Sequence, residues 1–227
     1  MGSWKYEDKP FTKSIAVGEP YEGVTSLRIE STNLDGTQID KPHFYEGITV
    51  APNHWVELVC EEAKASVERG GGPFGAVLLQ IEDETNEVIR YWRDHNHVTE
   101  YRDPTAHAEI SVIRSACHEL GVHNLGEIRK HESMLPQKGD TSHCEMYSSC
   151  EPCPMCYAAI MWARIPVLVF SATSYDAAQP GVEFSDEEIY DELKKVYKER
   201  SIKVHQAVSA NSLKAFELWK RSDNIKF

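Results

Sequence analysis

No stretch of the 227-residue chain approaches the ~18 consecutive apolar residues of a membrane-spanning helix. None is therefore expected, and no membrane partner. The opening Met1–Asp8 has no apolar h-region and does not read as a signal peptide. Gly2 is followed at position 6 by Tyr6 rather than Ser or Thr, so the myristoylation motif fails. Positive charge is also scarce: 24 Lys and Arg stand against 36 Asp and Glu, a formal net charge of −12. A polyanion would be repelled on average unless a basic stripe offset the field, and the basic residues here are scattered among acids. That points to a small neutral ligand and away from nucleic acid. No internal repeat or low-complexity tract is present. The cysteines number six: Cys60, Cys117, Cys144, Cys150, Cys153 and Cys156. Without a signal peptide they are read in a reducing, cytoplasmic compartment, where clustered cysteines serve as metal ligands rather than disulfides.

Residues 1–52 are polar and show only short alternating pieces such as Val24 to Ile29, which reads as an irregular or weakly β arm of unassigned role. Residues 53–227 read as one domain. From Asn53, Val56, Val59, Cys60, Ala63 and Val67 recur at helical spacing until Gly70–Pro73 stops them. Phe74 to Gln80 is a nearly continuous apolar run, predicted as a buried strand. Val88 to Trp92 returns as the second strand of a hairpin. A helix is predicted from His107 to a C-cap at Gly121. A loop-rich stretch over 124–142 follows, then a strand at Glu145 to Ser148, a helix from Pro154 to Ala163 and a strand at Pro166 to Ala172. The pattern continues with a helix over Asp186 to Lys198, a strand over Ser201 to Val208 and a last amphipathic helix over Ser212 to Arg221. Alternating strands and helices indicate a layered α/β domain.

The chemistry concentrates in two strings. The first is His107-Ala108-Glu109. The second, 46 positions after the histidine, is Pro152-Cys153-Pro154-Met155-Cys156. One histidine and a C-x-x-C pair supply three ligands to a tetrahedral zinc, and the fourth position remains for water. Spacing of three puts both sulfurs on one side of a helical turn, whose start favours thiolates. Glu109 can move the protons that an attacking water loses and a leaving amine gains. Alone, the C-x-x-C pair also fits a redox couple or a structural zinc knuckle, and Cys150-x-x-Cys153-x-x-Cys156 resembles a partial iron–sulfur run. The upstream H-x-E completes the signature of zinc deaminases acting on nucleobases. Cys150 is then surplus.

These strings, with Gly71-Gly72-Pro73-Phe74-Gly75-Ala76-Val77 and Asp103-Pro104-Thr105-Ala106, resemble the cytidine-deaminase-like superfamily. Within it the match is to bacterial-type guanine deaminases, strengthened by Asp176-Ala177-Ala178, Gly181 and Ile189-Tyr190. The resemblance covers roughly Asn53 to Phe227. It implies a three-layer α/β/α fold on a mixed five-stranded sheet, one zinc per chain, a homodimer, and hydrolysis of guanine to xanthine and ammonia. It also implies site residues. His107, Cys153 and Cys156 would hold zinc, and Glu109 would shuttle protons. Asn96 would bond the base edge, Phe74 would stack on the purine, and the backbone near Ala108 would contact it. Asp186 would be a second acid, although alignment on Gly181 favours Glu183 instead. Phe227 would close the pocket from a partner subunit, without the hydroxyl of the tyrosine common there. Bland readings stand beside these: Asn96 as a turn residue, Phe74 and Trp162 as core aromatics, Asp186 as a helix N-cap. His95 and His97 bracket Asn96 and read first as satisfied polar residues, with a place near the pocket as the alternative. Rival functions are guanosine or amino-triazine deamination, tRNA or DNA deamination, and a non-catalytic zinc module.

Overall fold

The computed structural model describes residues 11–21, 45 and 53–223. The chain divides between Ser185 and Asp186 into two compact units.

In the first unit a strand of the arm, β1 (Ile15–Pro20), precedes α1 (His54–Glu68), β2 (Gly75–Glu82) and β3 (Glu87–His95). There follow α2 (Val98–Tyr101), α3 (Ala108–Leu120), the short β4 (Ile128–Arg129), β5 (Thr141–Cys150), α4 (Pro154–Trp162), β6 (Val167–Ala172) and α5 (Ser174–Ala177). The strand order is β1-β3-β2-β5-β4, with β6 also paired to β5. All pairs are antiparallel except β5 with β6, so the sheet is mixed.

Strand β2 is buried along its whole length, and its alternation explains the layers. Ala76 and Leu78 face one core with Trp92 and Met146, covered by Ala108, Val112, Ala116 and Leu120 of α3 and Ile160 of α4. Val77, Leu79 and Ile81 face the other, covered by Trp55 and Val59 of α1. Each fully buried aliphatic side chain of this kind is worth about 1.5–3 kcal/mol, so both helical layers are held by the sheet rather than by helix propensity. This is the expected three-layer α/β/α arrangement.

The strand count differs from the expected five, since the sheet has six strands. One addition, β1, is almost wholly exposed and pairs along the edge of β3. It forms by completing backbone hydrogen bonds, which leave no hydrophobic period in the sequence. The other addition is the two-residue β4, and the loss of one expected strand, over Ser201 to Val208, leaves six.

Local signals set the boundaries. Asn53 caps α1, its Oδ1 accepting from Trp55 N–H at 2.9 Å and Val56 N–H at 3.3 Å. Gly121 ends α3 in the left-handed conformation at φ 72°.

The second unit holds α6 (Glu187–Lys194), a 3₁₀ turn at Tyr197–Glu199 and α7 (Lys214–Lys220). The expected strand over Ser201 to Val208 is absent: these residues are irregular and exposed. Their alternation is genuine, but a strand needs a neighbour for its backbone groups, and the described unit offers none. Asp186 occupies the N-cap position of α6, yet its side chain makes no capping hydrogen bond. Phe227 lies outside the described residues, as do Gly2 and Tyr6.

Candidate active site

Three sheet positions converge at one end of the first unit. Gly75 opens β2 opposite His95, which closes β3, and Ala76 pairs with Ser148 near the end of β5. Phe74, Asn96 and the loop after Cys150 therefore emerge together. The Asp103–Ala106 segment is a closed turn. Asp103 Oδ1 accepts from Thr105 N–H at 2.9 Å and from its hydroxyl at 2.7 Å, and Ala106 N–H returns to the Asp103 carbonyl at 3.0 Å. That turn delivers His107 to the N-cap of α3. On the other side, Cys153 is the N-cap of α4, Pro154 takes the first helical position and Cys156 lies buried one turn in.

The result brings three donor atoms together. His107 Nδ1 lies 3.6 Å from Cys153 Sγ and 3.5 Å from Cys156 Sγ. Zinc bonds of about 2.0–2.1 Å to nitrogen and 2.3 Å to sulfur, at tetrahedral angles, place such atoms about 3.6 Å apart. The donor set and its spacing fit zinc. The Cys153 thiol is held down to about 4, first by the hydrogen bond from Cys156 and also by His107, with burial opposing. Cys156 is pushed upward, first by its bond to Cys153 and then by burial, so the proton of the pair rests there. Cys150 is turned elsewhere: its buried thiol points to the Thr173 carbonyl at 3.5 Å.

Glu109 sits in the first turn of α3, only 6% exposed, and accepts a hydrogen bond from Ser148 Oγ at 3.2 Å. Burial pushes its carboxyl above the usual carboxylate range. Ala108 is fully buried as the first residue of the same helix, where N–H groups lack intrahelical partners.

Asn96 is 8% exposed. Its N–H donates to the Phe74 carbonyl at 3.0 Å, and its Oδ1 accepts from Val98 N–H at 3.1 Å. A Cβ on Gly72 would stand 3.3 Å from Asn96 Cγ and 3.6 Å from the Phe74 ring, so glycine there lets the loop close over both. The Phe74 ring meets Phe184 edge to face, centroids 5.0 Å apart. Glu183, the alternative second acid, is in the left-handed region at φ 64°. Asp186 belongs to the second unit. Trp162 is not core: α4 buries Cys156 and Ile160, and Trp162, two positions further along, is 74% exposed.

One contact at the site gave no signal in the sequence, and for a second, at His97, a place near the pocket is only the alternative reading there. Tyr45, from the arm, donates its hydroxyl to Glu151 Oε2 at 2.8 Å, and Ser174 N–H reaches the same oxygen at 2.9 Å. Glu151 lies two residues before Cys153, so the arm touches the loop that carries the thiols. His97 is buried directly beside Asn96. An isolated tyrosine in a polar stretch, and a histidine among ten, carry no period or motif.

A three-ligand donor set with a buried acid alongside is the arrangement of a hydrolytic zinc enzyme, in which protein groups move protons. Comparison with known proteins agrees. Residues 51–172 match the family described as the cytidine and deoxycytidylate deaminase zinc-binding region. The chain is 38% identical over 171 residues to the guanine deaminase of Bacillus subtilis strain 168, a match spanning 75% of this chain and 92% of that protein. It is 35% identical over 173 residues to a tRNA-specific adenosine deaminase of Agrobacterium fabrum, spanning 75% of this chain and 97% of that protein. Among solved structures, the X-ray structure of the Bacillus subtilis guanine deaminase superposes with a TM-score of 0.61 at 36% identity, covering 78% of this chain and 99% of that one. The chain belongs to the cytidine and deoxycytidylate deaminase zinc-binding family, and it is a zinc-dependent aminohydrolase. Among the described residues, no helix is long and apolar enough to cross a membrane.

Proposed function

We propose that the protein hydrolyses guanine to xanthine and ammonia. The observation that carries the chemistry is Glu109. It is a buried carboxyl held by Ser148, two residues after the histidine that completes the donor set with Cys153 and Cys156. The likeness to the guanine deaminase over 92% of its length supports the substrate, as does the net charge of −12.

In this reading His107, Cys153 and Cys156 hold the zinc, which when bound supplies a Lewis acid that brings the pKa of water toward neutrality. Phe74 offers its ring to the purine face, and the edge-on Phe184 keeps that ring in place. Asn96, with Oδ1 engaged by Val98, directs its amide nitrogen to the base edge. The Ala108 backbone adds a contact at the helix N-terminus. Glu109 takes a proton from the attacking water and delivers it to the ring nitrogen beside C2. The water oxygen bonds to C2 as a hydroxyl, and Glu109 takes that hydroxyl's proton and passes it to the amine. The C2–N bond breaks, and the hydroxyl oxygen becomes the C2 carbonyl; Asp186 is carried over as the second acid by the resemblance alone. One water is consumed and one ammonia leaves. Phe227 closes the pocket from the partner of a homodimer, and a closed pocket takes the free base and excludes a ribose. Residues 53–227 act as the deaminase domain, with the arm bracing it through Tyr45. None of the six cysteines is in a disulfide, which suits the cytoplasm.

The second reading is deamination of an adenosine in tRNA, favoured by the Agrobacterium relative. The two separate by experiment. Ammonia release from guanine should depend weakly on salt, whereas a tRNA substrate would show log K falling steeply with log salt.

A further inference from the structure

His97 lies between two acids. Its Nε2 is 2.6 Å from Asp94 Oδ1, and its Nδ1 is 2.7 Å from Glu100 Oε2. Ionised carboxylates only accept hydrogen bonds, so both ring nitrogens must donate, and the ring is an imidazolium. Asp94, His95 and His97 also bring donor atoms close enough to suggest a second metal centre. The 2.6 Å contact argues against it, because two ligands of one ion with bonds of about 2.0–2.2 Å stand roughly 3 Å or more apart.

The bonds tie together separate parts of the substrate loop. Asp94 belongs to the end of β3 and is 5% exposed, whereas Glu100 is in the first turn of α2. Tyr101 of α2 stacks on the His97 ring, centroids 4.4 Å apart and planes within 7°. The His97 backbone N–H donates to the Ala106 carbonyl at 2.9 Å, one residue before His107. The His97 ring therefore ties the end of β3, just before Asn96, to α2, and its backbone N–H ties the same segment to the turn that presents the donor histidine.

We propose that His97 is a positioning residue, an imidazolium staple that fixes the loop carrying Asn96 against the turn carrying His107, and so sets where the base sits. The role of Asn96 in holding the base rests on the reading given above.

Among the described residues, the groups facing His97 are Asp94 and His95 from β3, and Glu100 and Tyr101 from α2. Behind His95 stand Glu62 of α1 and Arg69, its C-cap. Burial disfavours the His97 charge, but the bonds and charges of Asp94 and then Glu100 outweigh it and raise the ring above its ordinary value. Tyr101 is pushed up to about 12 by burial and by both acids, and stays neutral below that. A raised folded pKa places the staple intact below the ordinary histidine value of about 6.5 and lost as pH climbs through the folded one.

The experiment uses the full zinc-loaded chain and the variants His97→Gln and Asp94→Asn. Glutamine's two N–H donors leave a single nitrogen, which cannot reach both of the acids that sit against the two separate ring nitrogens. We expect His97→Gln to keep one zinc per chain, to shift the Asn96 side-chain amide resonances, and to raise the guanine KM by ~10-fold or more with a smaller change in kcat, the pattern of lost ground-state positioning. Asp94→Asn leaves the ring but removes its buried counter-charge, so the alkaline rise in KM should move to lower pH than in the parent. Unshifted Asn96 resonances in His97→Gln, an unmoved alkaline limb in Asp94→Asn, or loss of zinc in both variants would overturn the proposal. A parent protein that leaves guanine untouched would refute the substrate reading alone, and the Asn96 resonances would still decide the role of His97.

Discussion

Replacing Glu109 by Gln isolates proton transfer from everything else the residue does. The amide has nearly the shape of the carboxylate and keeps an oxygen to accept from Ser148 Oγ, now 3.2 Å from Glu109. No cavity forms, and the cost of burying an ionisable group disappears. Since burial already pushes this carboxyl upward, the fold should be as stable as the parent or more so. The donor atoms of His107, Cys153 and Cys156 are untouched, so zinc should remain. What is lost is a group that can take and return a proton. General acid–base groups contribute about 10²- to 10⁴-fold, which at 1.36 kcal/mol per decade is roughly 2.7–5.5 kcal/mol of barrier. The assay is ammonia release under saturating guanine, with zinc measured on the same sample and the melting temperature as a control. We expect kcat to fall by at least ~10²-fold at constant zinc, with a Tm equal to or above the parent's. A variant with near-parental kcat and full zinc would show that another group carries the protons.

The parent should contain one zinc per chain, and Cys150→Ala should retain it, because that thiol points to the Thr173 carbonyl. Iron in elemental analysis, or metal lost from Cys150→Ala, would revive the iron–sulfur alternative. Gly75→Ala would set a Cβ 2.7 Å from the Val59 carbonyl oxygen and 2.8 Å from Ala63 N, both backbone of α1. We expect about 1–3 kcal/mol of destabilisation, a drop of roughly 2–12 °C in Tm, and an unchanged melt would contradict the close approach. Deleting Asn224–Phe227 should lower activity on guanine while leaving Tm unaltered, and full activity after deletion would remove the lid.

The parts of the site that require particular chemistry were legible in the sequence, because few residue types serve it. His107, Cys153 and Cys156 stand at spacings that helix N-caps impose, and the structure brings their donor atoms within 4.8 Å of one another. The β2–β3 hairpin was legible for a different reason: a strand buried on both faces reads as a nearly continuous apolar run, here Ala76 to Leu79 and Ile81. What escaped depends on partners distant in sequence. Strand β1 forms along an edge 67 to 76 residues away, by the pairings Ile15 with Tyr91 and Ala16 with Arg90 through to Glu19 with Val88 and Pro20 with Glu87; its own residues say little about it. Ser201 to Val208 shows the converse, an alternation for which the described residues of its own unit offer no strand to pair with. Tyr45 belongs with β1, its acid 106 residues away, whereas the acids of His97 stand three residues to either side. Each acts by hydrogen bonds to acids, and hydrogen-bond partners leave no periodicity.

The measurement closest to the central claim is turnover of a substrate panel by the zinc-loaded full-length protein. Guanine, guanosine, an amino-triazine and tRNA would be compared by ammonia release at two salt concentrations. The account predicts the highest kcat/KM on guanine, xanthine as product, and little change with salt. Faster turnover of guanosine, or activity confined to tRNA and falling steeply with salt, would contradict it.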